Sequence, residues 1–369
     1  KVDSKIFKHF IPNFDKDLPI YKLVDIENIE IEDNLTELGN NLLDLGNVPF
    51  MASNNWAVSG SKSTTGKPIL CNDMHLGFGS PGIWYQMHLV IENNELDVTG
   101  LTIPGAPGIV AGHNQNIAWG LTNVMLDGSD FYIETLNDDS TKYLLDGEWK
   151  DLIIKEEVIL TKEKDTLIGY NTFTHRGPII SKFKKIDNKA ISMHWVGNDY
   201  SNEYRGIYLI NRATDWESFR KGCSNFGAVA QNIIYADIEG NIGIQLSANV
   251  PKRIIDGYTI FPGDTSLYDW QGFIPFEDLP YEYNPERGYI ASANNKSTHD
   301  VDYYISQYYF QDFRQRRIVE MLEAKELLSV EDMKKIITDQ KSVLVDDICL
   351  LYTSPSPRDR TRSRMPSSA

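Results

Sequence analysis

The sequence predicts an α+β protein with largely antiparallel sheets. Three observations carry that expectation. Short β-branched and aromatic runs, broken by Gly, Asn, Asp and Pro, fill the chain from Asn55 onward. Helical patterns are concentrated late in the chain. The composition, 41% hydrophobic and 11% aromatic over 369 residues, is enough to build a sizeable packed core.

The elements follow in order. Residues 1–45 mix charged and apolar residues, and IEDNLTELGNNLLDLG reads as a polar turn followed by a short helix that stops at Gly46. Asn47 to Ala52 is a connector. The runs NWAVSG, PILCND, IWYQMHLVI, LDVTGLTI, GIVAGHN and IAWGLTN have the length and residue types of strands. Residues 131–200 continue as a β-rich lobe, with YLLDGEWKDLIIKEEVIL and TLIGYNTFT. Helices are expected at 214–224, with Thr214 or Asp215 as N-cap, at 312–326, and at 329–341. In the last, Ser329 followed by Asp332 forms a variant capping box.

Charge and cysteine content narrow the function. The net charge of −16 is the wrong sign for a nonspecific nucleic-acid binder. No stretch approaches the 18 apolar residues of a membrane helix. Cys71, Cys223 and Cys349 make neither a disulfide framework nor a metal cluster. From about Cys349 the composition changes abruptly, with four Arg and one Asp between residues 358 and 364. The segment 349–369 resembles translated sequencing-adaptor read-through and is set apart from the fold.

Several familiar motifs fail on context. GFGSPG at 77–82 matches G-x-G-x-x-G, but it contains Pro81 and precedes a strand-like run rather than a helix. GSKSTTGKP at 60–68 misses the phosphate-loop spacing by one and reads as a hairpin turn. G-x-S-x-G and H-E-x-x-H are absent, which disfavours an α/β-hydrolase and a catalytic zinc site.

The segment ASNNWAVSGSKSTTGKPILCNDMHL at 52–76 carries the chemistry. With GAPGIVAGHNQNIAWGLTNVMLDGSDFY (105–132), QNIIYADIEGNIG (231–243) and GYIASANN (288–295), it resembles the penicillin acylase family of N-terminal nucleophile hydrolases over about residues 47–348. The resemblance implies a four-layer α-β-β-α sandwich, of which this chain is a β-rich fragment. It also implies a precursor that cuts itself before a serine, here at Ala52–Ser53. Residues 1–52 are then the end of an α-chain plus spacer, and 53–348 the N-terminal part of the catalytic β-chain. The family more often has Gly than Ala before the serine, but a small residue still leaves the carbonyl open to attack.

The chemistry is coherent. A serine hydroxyl needs a base. An α-amino group, with a pKa of about 7.7–8.0, is a better base near neutral pH than a lysine at about 10.4. Once its amide is cut, Ser53 supplies both nucleophile and base. By resemblance, the backbone N–H of Asn123 and the side-chain amide of Asn232 are the oxyanion donors. His75 supports the nucleophile, and Arg253 lies near the site. Asp127, Ser129 and Asp130 form a calcium block whose oxygen donors suit a hard cation, and no organic cofactor is implied. Asn294 and Asn295 fall in a recurrent block and are given no role. The implied partners are a small-molecule amide and the α-chain of the same precursor, and the implied location is the bacterial periplasm or outside the cell. Two other readings fit the same residues: an inactive acylase-like binding module, and a conventional serine hydrolase with His75 or His113 as base.

Overall fold

The computed structural model describes residues 52–347 apart from 78, 93–94, 163–164, 182–188 and 299. The expectations for residues 1–51 and for the tail 349–369 lie outside the described residues.

The strand-like runs of the first half become β1 (Ala52–Val58), β2 (Ile69–His75), β3 (Tyr85–Ile91), β4 (Leu96–Thr102), β5 (Ala111–Asn114) and β6 (Ile117–Asn123). The lobe contains β7 (Ser129–Glu134), β8 (Lys142–Leu145), β9 (Glu148–Asp151), β10 (Ile153–Leu160), β11 (Thr166–Phe173) and β12 (Ala190–Trp195). Helices α1 (Glu203–Ile210) and α2 (Trp216–Cys223) follow. Strands β13 (Gln231–Asp237), β14 (Ile242–Ser247), β15 (Ile260–Pro262), β16 (Tyr281–Tyr283) and β17 (Tyr289–Ser292) precede α3 (Phe313–Glu323) and α4 (Val330–Thr338).

Two antiparallel sheets form the centre. A three-stranded sheet in the order β17-β1-β2 lies against a seven-stranded sheet in the order β16-β14-β13-β6-β5-β4-β3. Ala57 and Ile290 from the first meet Ile234, Ala236 and Ile242 from the second. Helices cover the outer faces. Ile210, Trp216 and Phe219 of α1 and α2 pack on Trp119, Leu121, Ile233 and Tyr235. Ile318, Leu322, Met333 and Ile336 of α3 and α4 pack on Trp56, Val58 and Tyr289. Each such side chain contributes about 1.5–3 kcal/mol when fully buried. The result is the four-layer α-β-β-α sandwich.

The two-residue period of β1 decides which side chains enter the interior. Trp56 and Val58 turn to the helices, where Trp56 Nε1 lies 3.2 Å from Met333 Sδ. Ala57 turns to the facing sheet, and so do Asn55 and Ser53 by alternation. The sheets also touch through Asn72. Its Nδ2 donates to the carbonyls of Asn54 and Leu121 at 3.0 Å each, and its Oδ1 accepts from Leu121 N at 3.0 Å. Gly120 makes the approach possible, because a Cβ there would stand 2.6 Å from the Asn72 side chain.

The caps follow their sequence signals. Asp215 caps α2, and Ser329 and Asp332 form both halves of the capping box at α4. Helix α1 is an element the sequence reading missed. Asn202 caps it by accepting from Arg205 N at 3.0 Å. In the lobe, β12-β7-β15 form a separate sheet. It is pinned by Arg176, whose guanidinium meets Glu134 at 3.1 Å, Asp269 at 2.6 Å and the carbonyls of Gly263 and Thr265 at 2.8 Å each.

Candidate active site

Ser53 sits near the start of β1, on the face turned towards the seven-stranded sheet, and is buried. Its backbone N–H donates to Asn294 Oδ1 at 2.8 Å. The Asn294 Nδ2 group donates to Ser53 Oγ at 3.3 Å and to the Asn123 carbonyl at 3.0 Å. Asn294 lies just beyond β17 at φ 61°, a left-handed conformation that asparagine tolerates better than most residues. Arg314, in the first turn of α3, completes the cluster. Its Nη1 donates to the Ser53 carbonyl at 2.9 Å and to Asn54 Oδ1 at 2.6 Å. Its Nη2 donates to the Ala293 carbonyl at 2.6 Å and to Asn294 Oδ1 at 3.0 Å. Burial pulls the Arg314 guanidinium below its ordinary pKa, and the Asp73 charge opposes that shift.

The edge of β6 faces this cluster. Along an extended strand, alternate residues send their N–H and C=O to the same side. Val124 N donates to Ala230 O at 3.2 Å, towards β13. Leu121 instead bonds to Asn72, and the Asn123 carbonyl accepts from Asn294. The Asn123 N–H therefore lies outside the β6–β13 ladder, on the edge nearest Ser53. Asn232 stands opposite Thr122 in the register, so their side chains share a face. Thr122 Oγ1 lies 2.9 Å from Ser292 Oγ in the facing sheet. The Asn232 amide thus enters the space between the sheets, where the residue is 4% exposed. Ser53 and Asn123 are brought together through Asn294, while Asn232 lies in the same layer between the sheets, its carbonyl accepting from Asn55 Nδ2 at 3.4 Å.

His75 is placed differently. It pairs with Ala52 across β1–β2, and its Nδ1 lies 3.1 Å from Asp73 Oδ2. Cys71, of the same parity, packs on the helix-facing side, so the His75 ring leaves β2 on the face opposite the Ser53 hydroxyl. Asp73 in turn accepts from Asn54 Nδ2 at 3.0 Å. His75 is linked to the cluster through Asp73, Asn54 and Arg314. The ring of His113 bonds to the carbonyl of Asn114. Neither histidine bonds to Ser53.

Arg253, expected near the site, is bonded to the acidic block. Its Nε donates to Asp130 Oδ2 at 2.8 Å and its Nη2 to the Asp127 carbonyl at 2.8 Å, with both charged side chains of the pair buried. Trp270 Nε1 also donates to Asp130 Oδ2. Tyr304 donates to Asp127 Oδ2 at 2.7 Å, and burial raises the Asp127 carboxyl above its ordinary value. Asp130 Oδ1 is buried without a hydrogen-bond partner among the described residues. It converges with Asp127 Oδ2 and Arg253 Nε beside Gly257, at 2.7, 3.0 and 3.0 Å from where a Cβ would stand there. Ser129 begins β7 between the two acids. A bare carboxylate oxygen beside a second carboxylate fits a hard cation, although no group of three acidic, His or Cys ligands occurs among the described residues.

The sequence gives no role to Arg314, Asn72 or Asn294, nor to Asn54 and Asp73, although the last two lie in the segment 52–76 singled out for its chemistry. The Asn-Asn pair in GYIASANN is the local signal for Asn294, and Arg314 has none.

Comparison with known proteins agrees with the fold. A family model described as penicillin amidase matches residues 6–365. The chain is 25% identical over 377 residues to the acyl-homoserine lactone acylase QuiP of Pseudomonas aeruginosa, covering 96% of this chain and 44% of that protein. It is 32% identical over 254 residues to penicillin G acylase of Escherichia coli, covering 67% and 29%. It is 29% identical over 297 residues to the penicillin acylase 2 proenzyme of a Pseudomonas species, covering 79% and 38%. The chain thus spans less than half the length of these relatives. Among solved structures, thermostable penicillin G acylase from Alcaligenes faecalis superimposes with a TM-score of 0.68 at 26% identity, over 77% of this chain and 51% of that one.

Proposed function

The chain belongs to the penicillin amidase family, and on that premise we propose that it is the nucleophile-bearing part of a self-processing amide hydrolase built on Ser53. One observation carries the proposal. The nitrogen and the hydroxyl of Ser53 are both bonded to Asn294, beside an Asn123 N–H that lies outside its own sheet.

In the uncut chain, Ser53 Oγ attacks the Ala52 carbonyl carbon. The C–N bond breaks, the nitrogen receives the hydroxyl proton, and Ala52 becomes an ester on Oγ. Water then cleaves the ester C–O bond, which releases Ala52 as a free carboxyl terminus and restores the Ser53 hydroxyl beside the α-amine. In turnover the amine takes the Oγ proton while Oγ attacks the substrate amide. The oxyanion is met by the Asn123 N–H and the Asn232 side-chain amide, donors already in place before the reaction. The proton passes to the leaving amine, and a water repeats the sequence on the acyl ester to release a carboxylic acid.

The substrate is an acylated amine. Its acyl part enters a cleft of about 320 Å³ beside Asn123, lined by Leu126, Trp195, Val196, Ala228 and Val229. A second chain from the same precursor completes the enzyme. Asp127 and Asp130 hold a structural Ca2+, which gives the otherwise orphaned Asp130 Oδ1 a partner. In the full-length protein, Ser53→Ala is expected to remain one chain. A chain beginning at residue 53, found by intact mass in that variant, would overturn the proposal.

A further inference from the structure

We infer that Glu203 is a specificity-determining residue: its carboxylate holds the backbone of residues 227–229, and through it one wall of the cleft that takes the acyl group. The inference rests on the acyl-cleft reading above and gives a task to a charged side chain which that reading leaves unused.

Glu203 opens α1, directly after the cap Asn202. A negative charge suits a helix N-terminus, but this side chain also reaches the loop between α2 and β13. Its Oε1 accepts from three successive backbone N–H groups, Gly227 at 3.1 Å, Ala228 at 3.0 Å and Val229 at 3.5 Å. Its Oε2 accepts from Ser201 Oγ at 2.9 Å. Successive N–H groups turned to one point make an anion-binding concavity, and here the chain fills it with its own carboxylate. Burial alone would raise the Glu203 pKa, but its own N–H, those of Gly227 and Val229, and the Ser201 hydroxyl together hold it below its ordinary value. The group is charged at neutral pH, and its bonds are of the stronger, charge-assisted kind.

Backbone bonds hold the loop on either side of this contact. Asn249 N donates to Gly227 O at 3.0 Å, and Val124 N donates to Ala230 O at 3.2 Å. Glycine permits the close approach at 227, because a Cβ there would stand 2.6 Å from Ser201 Cβ and 2.7 Å from Asn249 Nδ2. Ala228 and Val229 lie between these anchors, and both line the cleft beside Asn123. The facing wall is built differently. There β12 pairs with β7, Trp195 opposite Ser129, and Val196 N donates to Gly128 O at 2.9 Å. A sheet fixes one wall, and the Glu203 carboxylate fixes the other. Losing that carboxylate frees Ala228 and Val229 without releasing Gly227 or Ala230. A long acyl chain must then order the wall it packs against, which weakens its binding. An acyl group too short to reach the wall does not bear that cost.

The test uses the full-length protein with p-nitroanilides of acetic, hexanoic and dodecanoic acids. Wild type is checked first by intact mass for the cut before residue 53, and by phenylmethylsulfonyl fluoride labelling of Ser53. Glu203→Ala is expected to raise KM for the dodecanoic anilide at least tenfold more than for the acetic one, with kcat for each within threefold of wild type. Glu203→Gln keeps an acceptor oxygen for the three N–H groups and is expected to restore the wild-type ranking of the three substrates. A purely structural role would lower the Tm or change all three substrates by one factor, and either result without a change in ranking overturns the inference. Val229→Trp tests the cleft itself and is expected to raise KM for the dodecanoic anilide. If Val229→Trp shifts the chain-length preference and folded Glu203→Ala does not, the inference falls and the cleft reading stands. If Val229→Trp leaves the preference unchanged, both fall. If wild type turns over substrate uncut and unlabelled, the Ser53 reading falls, and the cleft and the inference with it. Should Glu203→Ala fail to fold, Glu203→Asp, which withdraws the carboxylate by one methylene, takes its place, and an unchanged preference there overturns the inference.

Discussion

Asn72 holds the two sheets at the separation the site needs, and replacing it tests that role directly. In Asn72→Ala, the N–H and C=O of Leu121 lose their partner, and so does the Asn54 carbonyl. Leu121 is 7% exposed, so its two groups gain little from water. At about 1–2 kcal/mol for each buried group left unpaired, the variant is expected to lose about 3 kcal/mol. Asn72→Asp is more diagnostic. It keeps the acceptor for Leu121 N but sets a carboxylate oxygen against two carbonyls. At pH 7 the expected loss is about 4–5 kcal/mol. The sign with pH follows from the environment. The protonated acid donates to one carbonyl, so its folded pKa is raised above the unfolded value of about 3.9. The restored bond is fully present below that unfolded value and disappears as pH rises through the folded one. Urea unfolding followed by tryptophan fluorescence at pH 7 and pH 5, for wild type and both variants of the full-length protein, measures this. The Asp penalty relative to wild type should shrink at pH 5, and the Ala penalty should not change. An Ala variant within 1 kcal/mol of wild type, or an Asp penalty independent of pH, would refute the reasoning.

Two further outcomes follow from other parts of the structure. Arg176→Met leaves Glu134, whose side chain is 0% exposed, without its cation and should cost about 3–5 kcal/mol; adding Glu134→Leu should restore much of that in denaturant titrations. Chelation with EDTA should lower the Tm of the full-length protein, and Asp130→Asn should abolish the calcium-dependent part of the Tm; an unchanged melting curve would remove the ion from the proposal.

Self-sufficient local signals were legible in the sequence. The alternation from Asn55 to Asn123 located the strands, and Asp215 and the Ser329–Asp332 pair located helix starts. Each depends on neighbours a few residues away. Helix α1 had a local signal too, Asn202 as its cap, but at Glu203–Ile210 it is short and follows a long β-rich stretch. Ser53 was found because its segment is distinctive, whereas the groups that hold it were not. Asn294 and Arg314 are 241 and 261 residues away along the chain. An Asn after a strand and an Arg in a first helical turn look ordinary until packing brings them together.

The amino-acid sequence by itself determined which stretches become strands and helices, because hydrophobic period, turn residues and caps act over a turn or a pleat. Tertiary structure decided which face each side chain takes and what it meets. His75 and Ser53 lie on opposite faces because strand pairing sets the register, and a slip of one residue would exchange those faces. Arg253 went to Asp130 and Arg314 to Ser53 because a charge leaving water must find acceptors, and only the packed layers fix where those acceptors are.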